Sequence, residues 1–344
     1  MDDGKLRERV SLLFPRGHGP RGTRVAVEHE LLTADLATGG PVAPERVRAA
    51  TRGASYASHL GFEPGGQVEL SLPTASRPEQ LSLRLAADVR TLRRDCEDAG
   101  IRLVDQPVDA RGVTEIPLQL AHPRYVAMQR HFDTIGPAGR VMMRCTASTQ
   151  VCLDWWPGRA GAEQWRLLQL AGPFLAAVFA RGRAVPSRLA TWLGVDVTRT
   201  AFDGRLLHGD DPVAAYTEFA TRATVFTPVT DADQHLSTLF PPVRPRGRYL
   251  EVRFPDVQPE DAVVGLVTVL ATLAYDDAVR ARALRTLSGE GERLHQHWAD
   301  AARRHGDVVC AVGGELVAMT GVRPLVDASD MGAAGDIGAW DGAA

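Results

Sequence analysis

The sequence predicts an α+β fold: a largely antiparallel sheet with one open face, and helices on the other. Three observations carry this. Four short segments alternate polar and apolar residues at a period of two, which in a strand separates the two faces. Helical periodicity recurs between them, and one stretch is apolar nearly all round. The candidate strands are amphipathic rather than uniformly apolar, which argues against a doubly wound parallel sheet, where both faces are covered.

The first strand is Arg24–Thr33, where alternation turns Glu28 and Glu30 to the same side. Two adjacent carboxylates repel, so the pair is either solvent-exposed or a divalent-metal site. The second segment, Phe62–Pro73, carries Glu63, a Pro-Gly-Gly turn, and then Gln67, Glu69 and Ser71 alternating with Val68, Leu70 and Leu72. Glu63 precedes the turn, so alternation does not give its facing. Helices are predicted at Pro78–Ala99, where Leu81, Leu85, Val89, Leu92 and Cys96 keep helical spacing, and at Ala162–Phe179. Between them, Arg144–Asp154 places Thr146, Ser148, Gln150, Cys152 and Asp154 on one face of a third strand. The fourth, Arg248–Phe254, sets Tyr249, Glu251 and Arg253 against Leu250, Val252 and Phe254. A helix over Pro259–Leu287, with Glu260 and Asp261 in its first turn, and another over Glu290–Arg304 complete the pattern. Stretches near 15–22, 38–44, 155–161 and 241–247 read as loops.

At 344 residues the chain holds one large domain or two closely packed ones, and it is read as a single domain over 1–327 with a Gly/Ala-rich tail, 328–344. A net charge of -3 removes nucleic acid as the default partner. Lys5 is the sole lysine against 38 arginines, so P-loop, protein-kinase and pyridoxal-phosphate mechanisms lose the side chain they depend on. Any phosphate clamp must use arginine, backbone amides or metal. Cys96, Cys145, Cys152 and Cys310 form no CxxC pair, so neither a disulfide framework nor a structural zinc site is suggested. The charged start MDDGKLRERV is unlike a signal peptide, and the longest apolar run, Ala262–Tyr275, is too short for a bilayer; the expectation is a cytoplasmic protein with no membrane partner.

Taken one at a time, each strand reads equally well as a half-solvated sheet. Together, several carboxylates with one phosphate-binding arginine and no lysine describe a multi-metal nucleotide site. In the same order, VAVEHELL, EPGGQVELS, GPAGRVMMRCTASTQVCLD and HLSTLFPPVRPRGRYLEVRFPD resemble the glutamate-cysteine ligase family, in its plant-type and actinobacterial branch and most closely its ergothioneine-biosynthesis members, over residues 24–275. The resemblance implies a glutamine-synthetase-like fold, a curved, mostly antiparallel sheet forming a half-open funnel with helices outside. It implies ATP and Mg2+, and an amide formed through an acyl phosphate between the γ-carboxylate of L-glutamate and the amine of L-cysteine. On matching positions, Glu28, Glu30, Glu63, Glu69 and Glu251 would ligate Mg2+. Arg253, Gln67 and Glu251 would face the nucleotide, with Arg253 and Glu69 catalytic. Gln150, Thr146, Ser148, Cys152, Arg188, Trp192, Arg199 and Tyr249 would line the substrate path, Arg188 and Arg199 gripping a substrate α-carboxylate. Two departures from the family pattern stand out, Cys152 where Asn is usual and FARGR at Phe179–Arg183; they leave open a natural-product amide ligase using another amine or acid. A third possibility is a binding module that has lost turnover.

Overall fold

The computed structural model describes residues 3–17, 20–226, 231–303 and 307–322. Its sheet comprises β1 (Val25–Asp35), β2 (Leu60–Phe62), β3 (Val68–Ser71), β4 (Ile101–Val104), β5 (Thr149–Asp154), β6 (Val243–Pro245) and β7 (Tyr249–Val252). All pairings are antiparallel, in the order β2-β3-β1-β5-β7-β6, with β4 on the distal part of β1. The expected α+β architecture is thus the observed one.

Register decides which side chains meet, because residues directly opposite each other share a face. Ser71, Glu28 and Gln150 form one row, and Glu69 with Glu30 the next. Cys152 stands opposite Glu251, and Glu251 opposite Arg244. One face is therefore polar across five strands. The other carries Val27, Leu31, Val68, Leu70, Val151, Leu250 and Val252, all buried. Against it lie the helices Pro78–Asp98 and Val263–Tyr275, while Gly158–Val178 packs on Val263–Tyr275 and β6. The Pro78–Asp98 helix buries Leu81, Leu85, Val89 and Leu92 at the spacing the sequence shows, and truncating Leu85 to alanine there would cost about 2–5 kcal/mol.

Several boundaries differ from expectation. The third strand starts only at Thr149, because Ala138–Arg144 is helical and the intervening residues bridge to other segments, Thr146 to Val108 and Ser148 to Asp256. The long helix expected over Pro259–Leu287 is two, Val263–Tyr275 and Asp277–Thr286. Asp276 breaks it by capping the second: its carboxylate accepts from the amides of Ala278 at 2.9 Å and Val279 at 3.0 Å. Glu260 lies outside both helices, paired with Arg93 at 2.9 Å. The supposed loop 241–247 contains β6, whose Pro245 is tolerated because β6 is an edge strand. The fourth helix begins as a 3-10 turn and runs as α-helix over Leu294–Arg303; Arg304, the domain end at 327 and the tail 328–344 fall outside the described residues. Among the described residues, no helix is long and apolar enough to cross a membrane.

Candidate active site

The β2–β3 hairpin folds Glu63 back over the polar face. Its turn closes through Glu63 N to Gln67 O at 2.9 Å and Gly66 N to Glu63 O at 2.8 Å, with Gly66 at φ +88°, a conformation that favours glycine. A Cβ on Gly65 would fall 2.2 Å from the Arg144 carbonyl oxygen, so the turn is pressed directly against the segment leading into β5. Gln67 locks that contact, its Oε1 accepting from Gly65 N at 2.9 Å and its Nε2 donating to Thr146 O at 2.9 Å. Both ends of the Gln67 amide are thus committed to the scaffold rather than to a nucleotide.

The result is a carboxylate trio. Donor oxygens of Glu30, Glu63 and Glu69 all lie within 4.8 Å of one another. Glu30 accepts from Ser148 N at 2.8 Å and from Gln150 Nε2 at 2.8 Å, and Ser71 Oγ donates to Glu69 at 2.8 Å. Among the described residues no arginine forms an ion pair with any of the three. Burial, followed by the charges of Glu30 and Glu69, pushes Glu63 well above the usual carboxylate range, and burial with Glu69 raises Glu30. Glu28 stands beside the trio rather than in it; burial and then the charges of Glu251 and Glu69 push it up to about 7.

Glu251 departs from the expected metal set. Its carboxylate accepts from Arg253 at 2.7 Å and lies 3.5 Å from Arg244 and 3.3 Å from Arg246. Burial opposes its ionisation, but Arg253, Arg244 and Arg246 outweigh it and hold the group below its ordinary value. The five-carboxylate set therefore separates into a trio, a neighbour and an arginine-bound member.

The polar face forms the floor of a cavity of about 360 Å³. Its far wall comes largely from the helix Pro123–Asp133, which starts on Pro123 and presents Arg124, Tyr125, Met128 and Phe132; Met142, Trp192 and Phe240 complete it. Gln150 lines the floor with a buried Oε1 that has no partner among the described residues, and Arg253 Nε is likewise unpartnered there. Thr146 and Ser148 line it too, although the Thr146 hydroxyl donates to Met142 O at 2.8 Å and Ser148 contributes its backbone amide.

The two arginines expected to grip an α-carboxylate are otherwise engaged. Arg188 reaches the cavity, but its NH2 group donates to Arg253 O at 3.0 Å and its NH1 to Phe254 O at 3.3 Å, so it braces the strand end that carries Arg253. Arg199 does not reach the cavity. It is completely buried, donates to Thr238 Oγ1 at 2.8 Å and to Thr224 O, pairs with Asp196 at 3.2 Å and stacks over Phe226 at 3.8 Å. Cys152 and Tyr249 line a second cavity of about 600 Å³, which meets the first at Glu28 and Arg246. Burial and the charges of Glu28 and Glu251 push the Cys152 thiol well above its ordinary range, which disfavours the thiolate. Neither Cys152 nor the Phe179–Arg183 stretch lines the first cavity.

Sequence reasoning missed Arg124, Tyr125, Met128, Phe132, Arg244 and Arg246. A signal existed for the last two: Arg244 and Arg246 alternate just before β7, as a hairpin partner would. The first four repeat at helical spacing, which by itself reads as a core stripe.

Residues 24–311 match the model of a family described as Glutamate-cysteine ligase family 2 (GCS2). The chain is 33% identical over 182 residues to the glutamate-cysteine ligase EgtA of Mycolicibacterium smegmatis, and 31% over 181 residues to EgtA of Mycobacterium tuberculosis. These matches take in 49% of this chain but only 41% and 40% of the relatives' own length. Among solved structures, a bifunctional glutathione synthetase from Pasteurella multocida matches with a TM-score of 0.44 at 14% identity, covering 94% of this chain and 50% of that one. A glutamate-cysteine ligase from Francisella tularensis in complex with AMP matches at 0.42 and 11%, covering 89% and 83%.

Proposed function

The chain belongs to glutamate-cysteine ligase family 2, and from that premise we propose that it is an ATP-dependent carboxylate-amine ligase, its catalytic domain extending to residue 327. One observation carries the reading: three carboxylates, Glu30 buried and Glu63 and Glu69 half-buried, converge on the floor of a cavity that five arginines also line. Such a pairing suits a polyphosphate brought in with a divalent cation, and little else.

The trio fits Mg2+ on chemical grounds. It offers hard oxygen donors, one buried and two half-buried, and among the described residues no arginine lies within ion-pair distance of it, Arg253 and Arg188 acting only from farther off. Bound at Glu30, Glu63 and Glu69, Mg2+ would neutralise phosphate oxygens and polarise the phosphorus. The chain's own residues do the rest. Arg253, its Nε unpartnered, holds the transferring phosphoryl group, and Arg244 and Arg246 reach the bridging phosphates. The second cavity, with Tyr249 at its edge, takes the nucleoside end.

A carboxylate is a poor electrophile, so its oxygen first attacks the γ-phosphorus and ADP leaves. The neutral amine attacks the acyl phosphate carbonyl, the tetrahedral intermediate expels phosphate, and the amine's proton leaves with solvent. Met128, Phe132 and Trp192, each at most 4% exposed, keep water from the acyl phosphate. We assign L-glutamate as the acid and L-cysteine as the amine, giving γ-glutamylcysteine for a low-molecular-weight thiol such as ergothioneine. The alternative of another amine or acid loses part of its support, because neither Cys152 nor Phe179–Arg183 lines the first cavity.

The test is phosphate release from ATP with Mg2+ and glutamate against a panel of amines, with the amide identified by mass spectrometry. Release that requires both acid and amine is the expected result. Absence of release with every pair would leave only a binding module.

A further inference from the structure

The three carboxylates of the trio are not held alike. Glu30 and Glu69 stand opposite each other between β1 and β3, and each is gripped through its oxygens, Glu30 by Ser148 N and Gln150 Nε2, Glu69 by Ser71 Oγ. Glu63 lies just past the last paired residue of β2, and among the described residues nothing donates a hydrogen bond to its carboxylate. Repulsion from Glu30 and Glu69 works to swing it away, so its place depends on the main chain that carries it. That chain turns through Pro64, Gly65 and Gly66, and a distant segment closes over the turn. Gln119 N donates to Pro64 O at 2.7 Å, Leu120 N to the same oxygen at 3.2 Å, and Gln119 Nε2 to Gly65 O at 2.7 Å. Gln67 thus takes the amide of Gly65 and Gln119 its carbonyl. The Gln119 amide also fills the space beside Gly66, where a Cβ would strike its nitrogen.

Resting on the metal reading of the trio, we propose that Gln119 is a positioning residue: by holding the Pro64–Gly66 turn it fixes Glu63 at the third corner of the cation site, and so sets the affinity for the divalent ion. A third ligand already in place costs nothing to reorganise when the ion arrives, whereas a free one must first be drawn in against two like charges. Gln119 also lies four residues before Pro123, where the far-wall helix begins, so a rival role is to orient that helix. The two roles predict different losses.

The test is calorimetric titration of the nucleotide-free protein with Mg2+, beside steady-state kinetics with ATP, glutamate and cysteine. In Gln119→Met, which keeps the reach of the side chain and removes its donor, Mg2+ should bind about 3- to 10-fold more weakly, the scale of one hydrogen bond. The KM values of glutamate and cysteine should not move. Gln119→Asn, whose amide is drawn back by one methylene, should weaken Mg2+ in the same direction, and it carries the test if the methionine variant does not fold. A merely structural role would lower the metal-free thermal midpoint and leave Mg2+ affinity unchanged, which overturns the assignment. A raised KM for cysteine at unchanged Mg2+ affinity overturns it as well, in favour of the far-wall helix. Failure of the wild type to bind Mg2+ would overturn the cation site itself and the assignment with it, while phosphate release, read separately, decides the ligase reading.

Discussion

Two groups of carboxylates meet over one face of the sheet and answer their surroundings in opposite ways. Glu251 sits among Arg244, Arg246 and Arg253 and stays ionised below its ordinary range. Glu30, Glu63 and Glu69 face one another instead, and Glu30 and Glu63 are driven upward. The floor is electrostatically complete on one side and incomplete on the other. On the reading proposed above, the incomplete side would take a cation from solution, and the complete side would hold its arginines ready for an anion.

The largest effect expected from disturbing this contrast is on catalysis. Glu69→Gln should reduce turnover by about 1000-fold, the scale of losing a group that organises charge at the reacting centre, with an unchanged circular dichroism spectrum. Near-normal phosphate release in that variant would remove the trio from the mechanism. Next comes stability, with opposite signs. Glu251→Gln strands three guanidiniums and should destabilise the fold by about 3 kcal/mol in urea melts, whereas Glu63→Gln, relieving repulsion, should leave the metal-free protein as stable as wild type or more so. Two variants that destabilise alike would erase the distinction.

A smaller loss, about 100-fold in kcat, is expected for Arg253→Lys, because an ammonium cannot reproduce the guanidinium fork; full activity would show that Arg253 acts only as a diffuse charge. Smallest is a binding effect. Millimolar Mg2+ should raise the thermal midpoint of wild type by a few degrees, about 1–3 kcal/mol of linkage, and Glu63→Gln should lose that shift.

The legible part of the site lay on strands. Alternation placed Glu28, Glu30, Glu69 and Glu251 on one face because a strand's period is two and needs no knowledge of distant partners. Glu63 escaped that rule, since only the hairpin turn determines where it points. The resemblance put Arg199 on the substrate path, but a place in a family segment does not distinguish a guanidinium facing a ligand from one paired with Asp196 and bound to the Thr238 hydroxyl and the Thr224 carbonyl in the interior. Arg124, Met128 and Phe132 were hidden for the converse reason: a helix stripe facing a cavity has the same periodicity as one facing the core. The break at Asp276 was missed because an uninterrupted helical pattern on both sides concealed a capping residue between them.

The two glycines after Pro64 do more than reverse the chain. With neither position able to carry even a methyl group unstrained, the main-chain path that sets the Cα positions of the acids on the two sides of the hairpin is tightly constrained. If the carboxylates hold an ion as proposed, drift at this spot would not retune its affinity in small increments; a change there would be abrupt, and lineages keeping that site would keep both positions bare.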